Sequence, residues 1–227
     1  MRRTRYDRVM RALIVVLTLA VGACAAVGAT SGRVPAPRVD AARASSPGKA
    51  TAVVAGGCFW GIQAVYQHVR GVMQAVSGYA GGTADSAHYE IVSSGATDHA
   101  ESVQITYDPS VVTYGQLLHV FFSVAHDPTE VNRQGPDDGR QYRSAIFFAD
   151  AEQQRIARAY IAQIDEAKVF NRRLATEVVP LKGFYQAEGY HQDYATKHPD
   201  DPYIMINDAP KVRNLKKVFQ DLYVEKH

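Results

Sequence analysis

A short segment of the chain combines residue types that could do nucleophilic or redox chemistry. The segment 56–61, Gly-Gly-Cys-Phe-Trp-Gly, contains the only tryptophan and one of the two cysteines. A β-branched run precedes it and an amphipathic stretch follows it, so the pattern predicts a strand, a glycine turn and a helix that begins near Cys58. Because a helix N-terminus stabilises anions, we expect a reactive thiol with a lowered pKa. The alternative is a buried structural cysteine, against which the clustered glycines argue.

Two other segments contain candidate acid and base groups. Residues 95–101, Gly-Ala-Thr-Asp-His-Ala-Glu, place a histidine and two carboxylates directly before a strand pattern. Residues 134–144 contain two aspartates and a tyrosine before another strand pattern. A cysteine nucleophile needs such groups close to it, and neighbouring strand ends can converge near the start of the first helix. Taken alone, each segment is more typical of a solvated loop than of a functional site.

The elements that would position these groups alternate along the chain. The pattern predicts strands over 51–56, 71–79, 101–107 and 144–149, and helices over 60–69, 88–93, 114–125 and 151–168. The core order β-α-β-β-α-β predicts an α+β, ferredoxin-like (split βαβ) two-layer sandwich with helices on one face. We expect an additional strand over 175–181, and then a C-terminal extension of long loops with a last helix near 211–223.

Composition places the chain among ordinary globular proteins. It has 227 residues, of which 46% are hydrophobic and 21% charged, which is enough for one complete core and argues against disorder. The formal net charge of +2 is too small to indicate a nucleic-acid-binding surface.

The first 24 residues have the layout of an export signal. A basic segment precedes a short apolar run, and Val21-Gly-Ala-Cys24 resembles a lipobox, in which Cys24 would be lipidated. Ordinary signal-peptidase cleavage is the open alternative. Both lipidation and ordinary cleavage predict an extracytoplasmic protein, but only lipidation would tether it to a membrane. We expect residues 25–49 to form a flexible linker and residues 50–227 to form the catalytic domain.

Three of these segments, taken together, resemble a known family. Residues 57–61, 95–101 and 139–144 are similar in order and spacing to peptide methionine sulfoxide reductase A, as are residues 132–137 and 187–193. The resemblance covers roughly residues 51–203. It implies that the protein reduces methionine-S-sulfoxide, free or in proteins, to methionine, and so repairs oxidised proteins.

The resemblance also implies roles for individual residues. Cys58 matches the nucleophile that becomes a sulfenic acid, and Phe59 and Trp60 match the pocket wall for the substrate methyl group. Glu101 matches the acid that protonates the sulfoxide oxygen. The remaining matches are two hydroxyls that bind this oxygen and a carboxylate that lines the site: Tyr89, Tyr142 and Asp137.

The chain departs from the family in its cysteines. Many members carry resolving cysteines near the C-terminus, but this sequence has no cysteine after Cys58. We therefore expect an external thioredoxin-like or glutaredoxin-like thiol donor. We also expect no bound cofactor and a monomeric enzyme.

Two alternatives to the reductase remain at this point. His99 or His126 could pair with Cys58 in an exported thiol peptidase or acyltransferase, although no Cys-His-Asn signature is present. The thirteen tyrosines would also permit a tethered peptide-binding lipoprotein. A metal site is not predicted, because the candidate ligands match no standard metal signature: Glu188, His191, Asp193 and His198.

Overall fold

A computed structural model describes residues 33–225. Eight strands are present in this part of the chain: Ala50–Gly56 (β1), Val72–Ala80 (β2), Ala100–Tyr107 (β3), Arg133–Gln134 (β4), Asp137–Asp138 (β5), Ser144–Phe148 (β6), Glu177–Pro180 (β7) and Phe184–Gln186 (β8). The α-helices are Phe59–Gln67 (α1), Tyr89–Val92 (α2), Tyr114–Val120 (α3), Ala151–Ala167 (α4), Tyr194–Lys197 (α5) and Ala209–Val218 (α6). Two π-helical turns, Phe121–Ala125 and Ile204–Asp208, continue or precede α3 and α6.

Six strands form one sheet in the order β7-β6-β1-β3-β2-β8, and β4 pairs with β5 in a separate hairpin. All neighbours in the large sheet are antiparallel except β6 and β7. The four central strands and their helices follow the predicted β-α-β-β-α-β order. The fold is therefore a mixed α/β fold built on a six-stranded sheet, in agreement with the broad expectation.

Both faces of the sheet are buried, which differs from the expected two-layer plan with helices on one face. In β1, Ala52 and Val54 belong to the main core with the helices, whereas Val53 and Ala55 belong to a second cluster. That second cluster packs against Val179, Leu181 and Phe184 of the 177–186 segment. This segment includes β8, which the sequence pattern did not predict. The C-terminal extension thus covers a sheet face that a two-layer sandwich would leave open.

Most helix boundaries lie close to their expected positions because local signals set them. Thr113 and Gln116 form a reciprocal capping box at the start of α3. The Asp150 side chain accepts a hydrogen bond from the Gln153 amide at the start of α4. The last helix was expected over 211–223, but it spans Ala209–Val218, with Pro210 in its first turn. In the range 33–225, no helix is both long enough and apolar enough to cross a membrane.

Residues 33–49 pack on the domain, so the expected flexible linker is wrong over this range. Val34 is buried, and the Tyr160 hydroxyl donates to the Pro35 carbonyl at 2.7 Å. Asp40 accepts hydrogen bonds from the Thr113 hydroxyl and the Gly115 amide at the start of α3. Apart from the Val34 side chain, the segment is held here through backbone carbonyls and one carboxylate, which produce no apolar period. Residues 1–32, including the predicted leader and Cys24, lie outside the described part of the chain.

Removing the Asp40 carboxylate tests this docking. Asp40→Ala should lower the free energy of unfolding by about 1–2 kcal/mol, because the donors at the start of α3 lose their acceptor. Urea unfolding followed by circular dichroism measures the change. Asp200→Ala, which alters an exposed aspartate, serves as the control. Equal stabilities for the two variants would mean that residues 33–49 are not held to the domain.

Candidate active site

The turn between β1 and α1 places Cys58 at the start of a helix. Gly57 has φ +96°, a conformation that favours glycine, and a Cβ atom there would lie 2.5 Å from the Gln134 side chain. Cys58 follows as the residue before the first turn of α1, and only 7% of its surface is exposed. The predicted strand, glycine turn and helix are therefore confirmed.

Glu101 lies beside this helix start. It is the second residue of β3 and is 3% exposed. The Phe59 amide donates a hydrogen bond of 3.1 Å to Glu101 Oε2. Burial raises the pKa of the Glu101 carboxyl to about 8, although the Phe59 hydrogen bond acts in the opposite direction. Glu101 is thus a carboxylic acid that keeps its proton near neutral pH.

The pKa of Cys58 is raised well above its ordinary value, so the expected lowering is wrong. Burial is the largest cause, followed by the nearby Glu101 and Asp208 carboxyls. The backbone hydrogen bond from Trp60 and the Lys211 ammonium lower this pKa, but their effects are smaller. A helix N-terminus stabilises a thiolate by a limited amount, whereas the loss of water around a buried anion costs more.

The predicted tyrosines surround the same two groups. Tyr89 is the first residue of α2, and Tyr142 ends a short turn before β6. Burial raises the pKa of both phenols, and interaction with Glu101 and Cys58 adds to the effect. Each phenol therefore keeps its proton near neutral pH, and its hydroxyl remains a hydrogen-bond donor close to Cys58 and Glu101.

Asp137 is half-buried on β5 and acts on the same centre. Burial raises the pKa of its carboxyl, which the hydrogen bond from the Tyr203 hydroxyl opposes. Sequence reasoning did not identify Tyr203, because it lies in a region predicted to be loops. Its ring packs edge-on against Trp60 at a centroid separation of 5.9 Å.

The two aromatic residues after Cys58 occupy different environments. Phe59 is almost fully buried, and its ring contacts Tyr79 and His191. Trp60 is half-buried and stacks on Tyr194 with a centroid separation of 3.8 Å. Trp60 thus keeps part of its apolar surface accessible, whereas Phe59 lies in the core and shares the contact with His191.

His191 contacts several members of this aromatic layer, including Phe59, Trp60 and Tyr89. Its Nδ1 accepts a hydrogen bond of 3.2 Å from the Trp60 indole, and burial lowers the pKa of its imidazole. Glu188 accepts hydrogen bonds from the Tyr79 hydroxyl and the Tyr89 amide. No cluster of three metal-ligating side chains occurs among residues 33–225.

An ion pair near Cys58 also escaped sequence reasoning. The Lys211 ammonium donates a hydrogen bond of 3.0 Å to Asp208 Oδ1, and the Asp208 side chain is 1% exposed. The spacing of three residues at the start of a helix is a recognisable pairing signal. What the sequence could not show is that this pair packs against the first turn of α1.

The histidines that a thiol hydrolase would require have other partners. His126 Nε2 lies 2.7 Å from Ser144 Oγ, and burial lowers the pKa of His126 to about 3. His99 is fully buried, with its ring nitrogens near the Gly82 amide and the Thr83 carbonyl. The residue that interacts with the Cys58 region as an acid is Glu101. This arrangement does not favour a Cys-His hydrolase.

A family model described as peptide methionine sulfoxide reductase matches residues 50–223. The chain belongs to this family. The chain is 59% identical over 182 residues to peptide methionine sulfoxide reductase MsrA 2 of Mesorhizobium japonicum. The match covers 80% of this chain and 93% of the relative. A second MsrA 2, from Synechocystis, is 51% identical over 190 residues, covering 83% of this chain and 89% of the relative. The resemblance inferred from the motifs is confirmed.

Solved structures of the family share the fold of this reductase. The reduced form of Mxr1 from Saccharomyces cerevisiae has a TM-score of 0.61 and 36% sequence identity, covering 67% of this chain and 87% of that chain. Methionine sulfoxide reductase A of Corynebacterium diphtheriae has a TM-score of 0.58 and 36% identity, covering 68% of this chain and 77% of that one.

The coupling between Cys58 and Glu101 can be measured by alkylation. In a Cys24→Ser background, Glu101→Gln should speed the reaction of Cys58 with iodoacetamide above pH 8.5, because it removes a negative charge that raises the thiol pKa. Below pH 7 the Glu101 carboxyl is protonated in the parent protein, so the two rates should agree. Identical rates at all pH values would show that the two groups do not interact.

Proposed function

We propose that this reductase uses Cys58 to convert methionine-S-sulfoxide, free or in proteins, into methionine. The single observation that carries the proposal is the pairing of a buried thiol with Glu101, whose raised pKa keeps it a proton donor near neutral pH. A sulfoxide oxygen is a poor leaving group, so it must be protonated while its sulfur is attacked. Glu101 supplies that proton, and its position at the Phe59 amide keeps it aimed at the start of α1.

The side chains around Cys58 fit a methyl sulfoxide. Tyr89 and Tyr142 donate hydrogen bonds to the sulfoxide oxygen and stabilise the charge that develops on it. The methyl group lies on Trp60, with Phe59 beneath, and burial of such a group contributes on the order of 1 kcal/mol. Asp137 lines the site and holds the Tyr203 hydroxyl. This arrangement supports selection of the S epimer. In the other epimer the methyl group and the oxygen exchange places, so the polar oxygen would lie on the Trp60 indole.

The protonation states of Cys58 and Glu101 are coupled, which determines the reactive form. Each group disfavours the other's negative charge, so the thiolate forms more readily while Glu101 is still protonated. The productive state therefore has a thiolate at Cys58 and an acid at Glu101. Its population is greatest between the two macroscopic pKa values of the pair, and the first step should show a bell-shaped pH profile.

Attack transfers the oxygen to Cys58, releases methionine and leaves a sulfenic acid. Cys58 is the only free cysteine among residues 33–225, so no second thiol of the described domain can form a disulfide with it. An external thiol donor, thioredoxin-like or glutaredoxin-like, completes the cycle. No bound cofactor is required for either half of the reaction.

The location proposed for the enzyme is extracytoplasmic. The basic and apolar segments before Cys24 support export, and the lipobox-like Val21-Gly-Ala-Cys24 supports a lipid anchor. Since residues 33–49 pack on the domain, any free tether would be confined to the few residues between Cys24 and Arg33.

Replacing the proposed acid tests the mechanism. Glu101→Gln should slow methionine formation in a single turnover by about 10²–10⁴-fold, because glutamine cannot protonate the sulfoxide oxygen. The measurement uses epimerically pure methionine-S-sulfoxide without thiol and follows methionine by chromatography. The parent rate should also decline once the pH exceeds the higher macroscopic pKa of the pair, where both groups are ionised, and the variant should lack this decline.

Two matched proteins complete the test. Glu90→Gln alters an exposed glutamate on α2 and should leave the rate unchanged. Cys58→Ser should form no methionine. A Glu101→Gln rate within twofold of the parent would remove Glu101 from the mechanism, and turnover by Cys58→Ser would remove the nucleophile.

A further inference from the structure

A cavity of about 410 Å³ reaches Cys58 from the side of α6. It is lined on the inside by Cys58, Asp137, Tyr203 and Lys211, and toward solvent by residues such as Asn214. None of the other residues assigned to the sulfoxide lies in its wall: Glu101, Phe59, Trp60, Tyr89 and Tyr142. Cys58 is therefore approached from a second direction.

Tyr203 separates the two directions. Its hydroxyl bonds to Asp137, and its ring packs edge-on against Trp60. One side of Tyr203 thus faces the aromatic layer on which the substrate methyl group is placed. Tyr203 also lines the cavity, together with Lys211 and Asn207, whereas Trp60 does not.

Lys211, the cation of this cavity, is paired with Asp208, and this ion pair packs where only a glycine fits. A Cβ atom on Gly61 would lie 2.1 Å from Asp208 Oδ1 and 2.8 Å from Lys211 Nζ. The ion pair therefore packs directly on the first turn of α1, three residues after Cys58. Glycine inside a helix costs about 1 kcal/mol of stability relative to alanine. The glycine at position 61 is explained because it leaves room for the ion pair between Lys211 and Asp208.

We propose that this cavity admits the external thiol that reduces oxidised Cys58, and that Lys211 stabilises this thiol as a thiolate. The inference rests on the proposed function, since it concerns the second half of that cycle. The incoming sulfur attacks Cys58 sulfenic acid, an S–S bond forms, and the hydroxyl departs as water with the thiol's proton. A second thiol then attacks the donor sulfur of the mixed disulfide, which releases Cys58 and an oxidised donor disulfide.

Lys211 is suited to this role by its surroundings. Of the described residues that line the cavity, it is the only lysine or arginine. Its positive charge lowers the pKa of four titratable groups around the cavity: Cys58, His126, Asp137 and Asp208. His126 is neutral because burial lowers its pKa to about 3, so Lys211 is the positive group that an arriving sulfur meets.

Filling the cavity from its exposed rim tests the route. Asn214→Trp should slow the thiol-dependent step on the order of tenfold, while the methionine burst before thiol addition changes less than twofold. The oxidised enzyme is prepared with one equivalent of sulfoxide and mixed with either dithiothreitol or a thioredoxin. Arg213→Trp, on the same helix but outside the cavity wall, is the matched control.

The possible results separate cleanly. The route is supported if Asn214→Trp slows the reaction of oxidised Cys58 with both donors and Arg213→Trp does not. Slowing of thioredoxin alone overturns it, because that result indicates a blocked surface and not a filled cavity. Unchanged recycling with both donors also overturns it. Absence of a methionine burst in the parent protein would instead refute the proposed function.

The contribution of Lys211 is tested by the pH dependence of the recycling rate. Lys211→Met should reduce the recycling rate about tenfold at pH 7, and the loss should shrink as pH rises and the donor thiol ionises without help. Lys216→Met, an exposed lysine of the same helix, is the control. A loss that is equal at all pH values and equal in both half-reactions would show a structural role only. If Lys211→Met does not fold, Asn214→Trp still decides the route.

Discussion

The hydrogen bond from the Phe59 amide to Glu101 joins the two elements on which the site depends. It links the start of α1 to the start of β3, and it is made in a pocket from which water is largely excluded. The register between β1 and β3 pairs Val54 with Val103, which brings Glu101 alongside the turn that carries Cys58. A shift of one residue would turn Glu101 to the opposite face of the sheet. The distance between acid and thiol is thus fixed by backbone pairing in the middle of the sheet.

The parts of this arrangement that the sequence predicts are the local ones. Glycines before Cys58 and the alternating residues of β3 specify a turn and a strand, and the structure contains both. The packing of residues 33–49 and of the C-terminal segment could not be predicted in this way. Pro35 and Ala36 are held through their carbonyl oxygens, which every residue possesses, so no side-chain pattern reports the contact. Gly61 could be read as a helix irregularity, but the ion pair that it accommodates lies almost 150 residues further along the chain.

The wrong expectation for the Cys58 pKa has a physical explanation that applies to other buried thiols. Amides and a helix dipole favour an anion by about 1 kcal/mol, a figure that refers to exposed or partly exposed sites. Cys58 is 7% exposed and has two acidic neighbours, so desolvation and repulsion exceed that benefit. Position at a helix start is therefore insufficient to predict an activated cysteine. The depth of the site and the charge of its neighbours must also be known, and both depend on the tertiary fold.

Glu101 shows that the site is maintained at the expense of stability. Its folded pKa of about 8 lies above the ordinary value of 4.5, so the folded protein retains a proton that the unfolded chain releases. Between these two pH values the folded state consequently loses stability as pH rises, by a total on the order of 4–5 kcal/mol. That loss is comparable to a large share of a domain's net stability, and burial by the sheet and the C-terminal segment must offset it. A surface carboxylate would avoid the loss but would be ionised at neutral pH. The buried position of Glu101 therefore agrees with its proposed role as a proton donor, because only a carboxyl shielded from water keeps its proton at neutral pH.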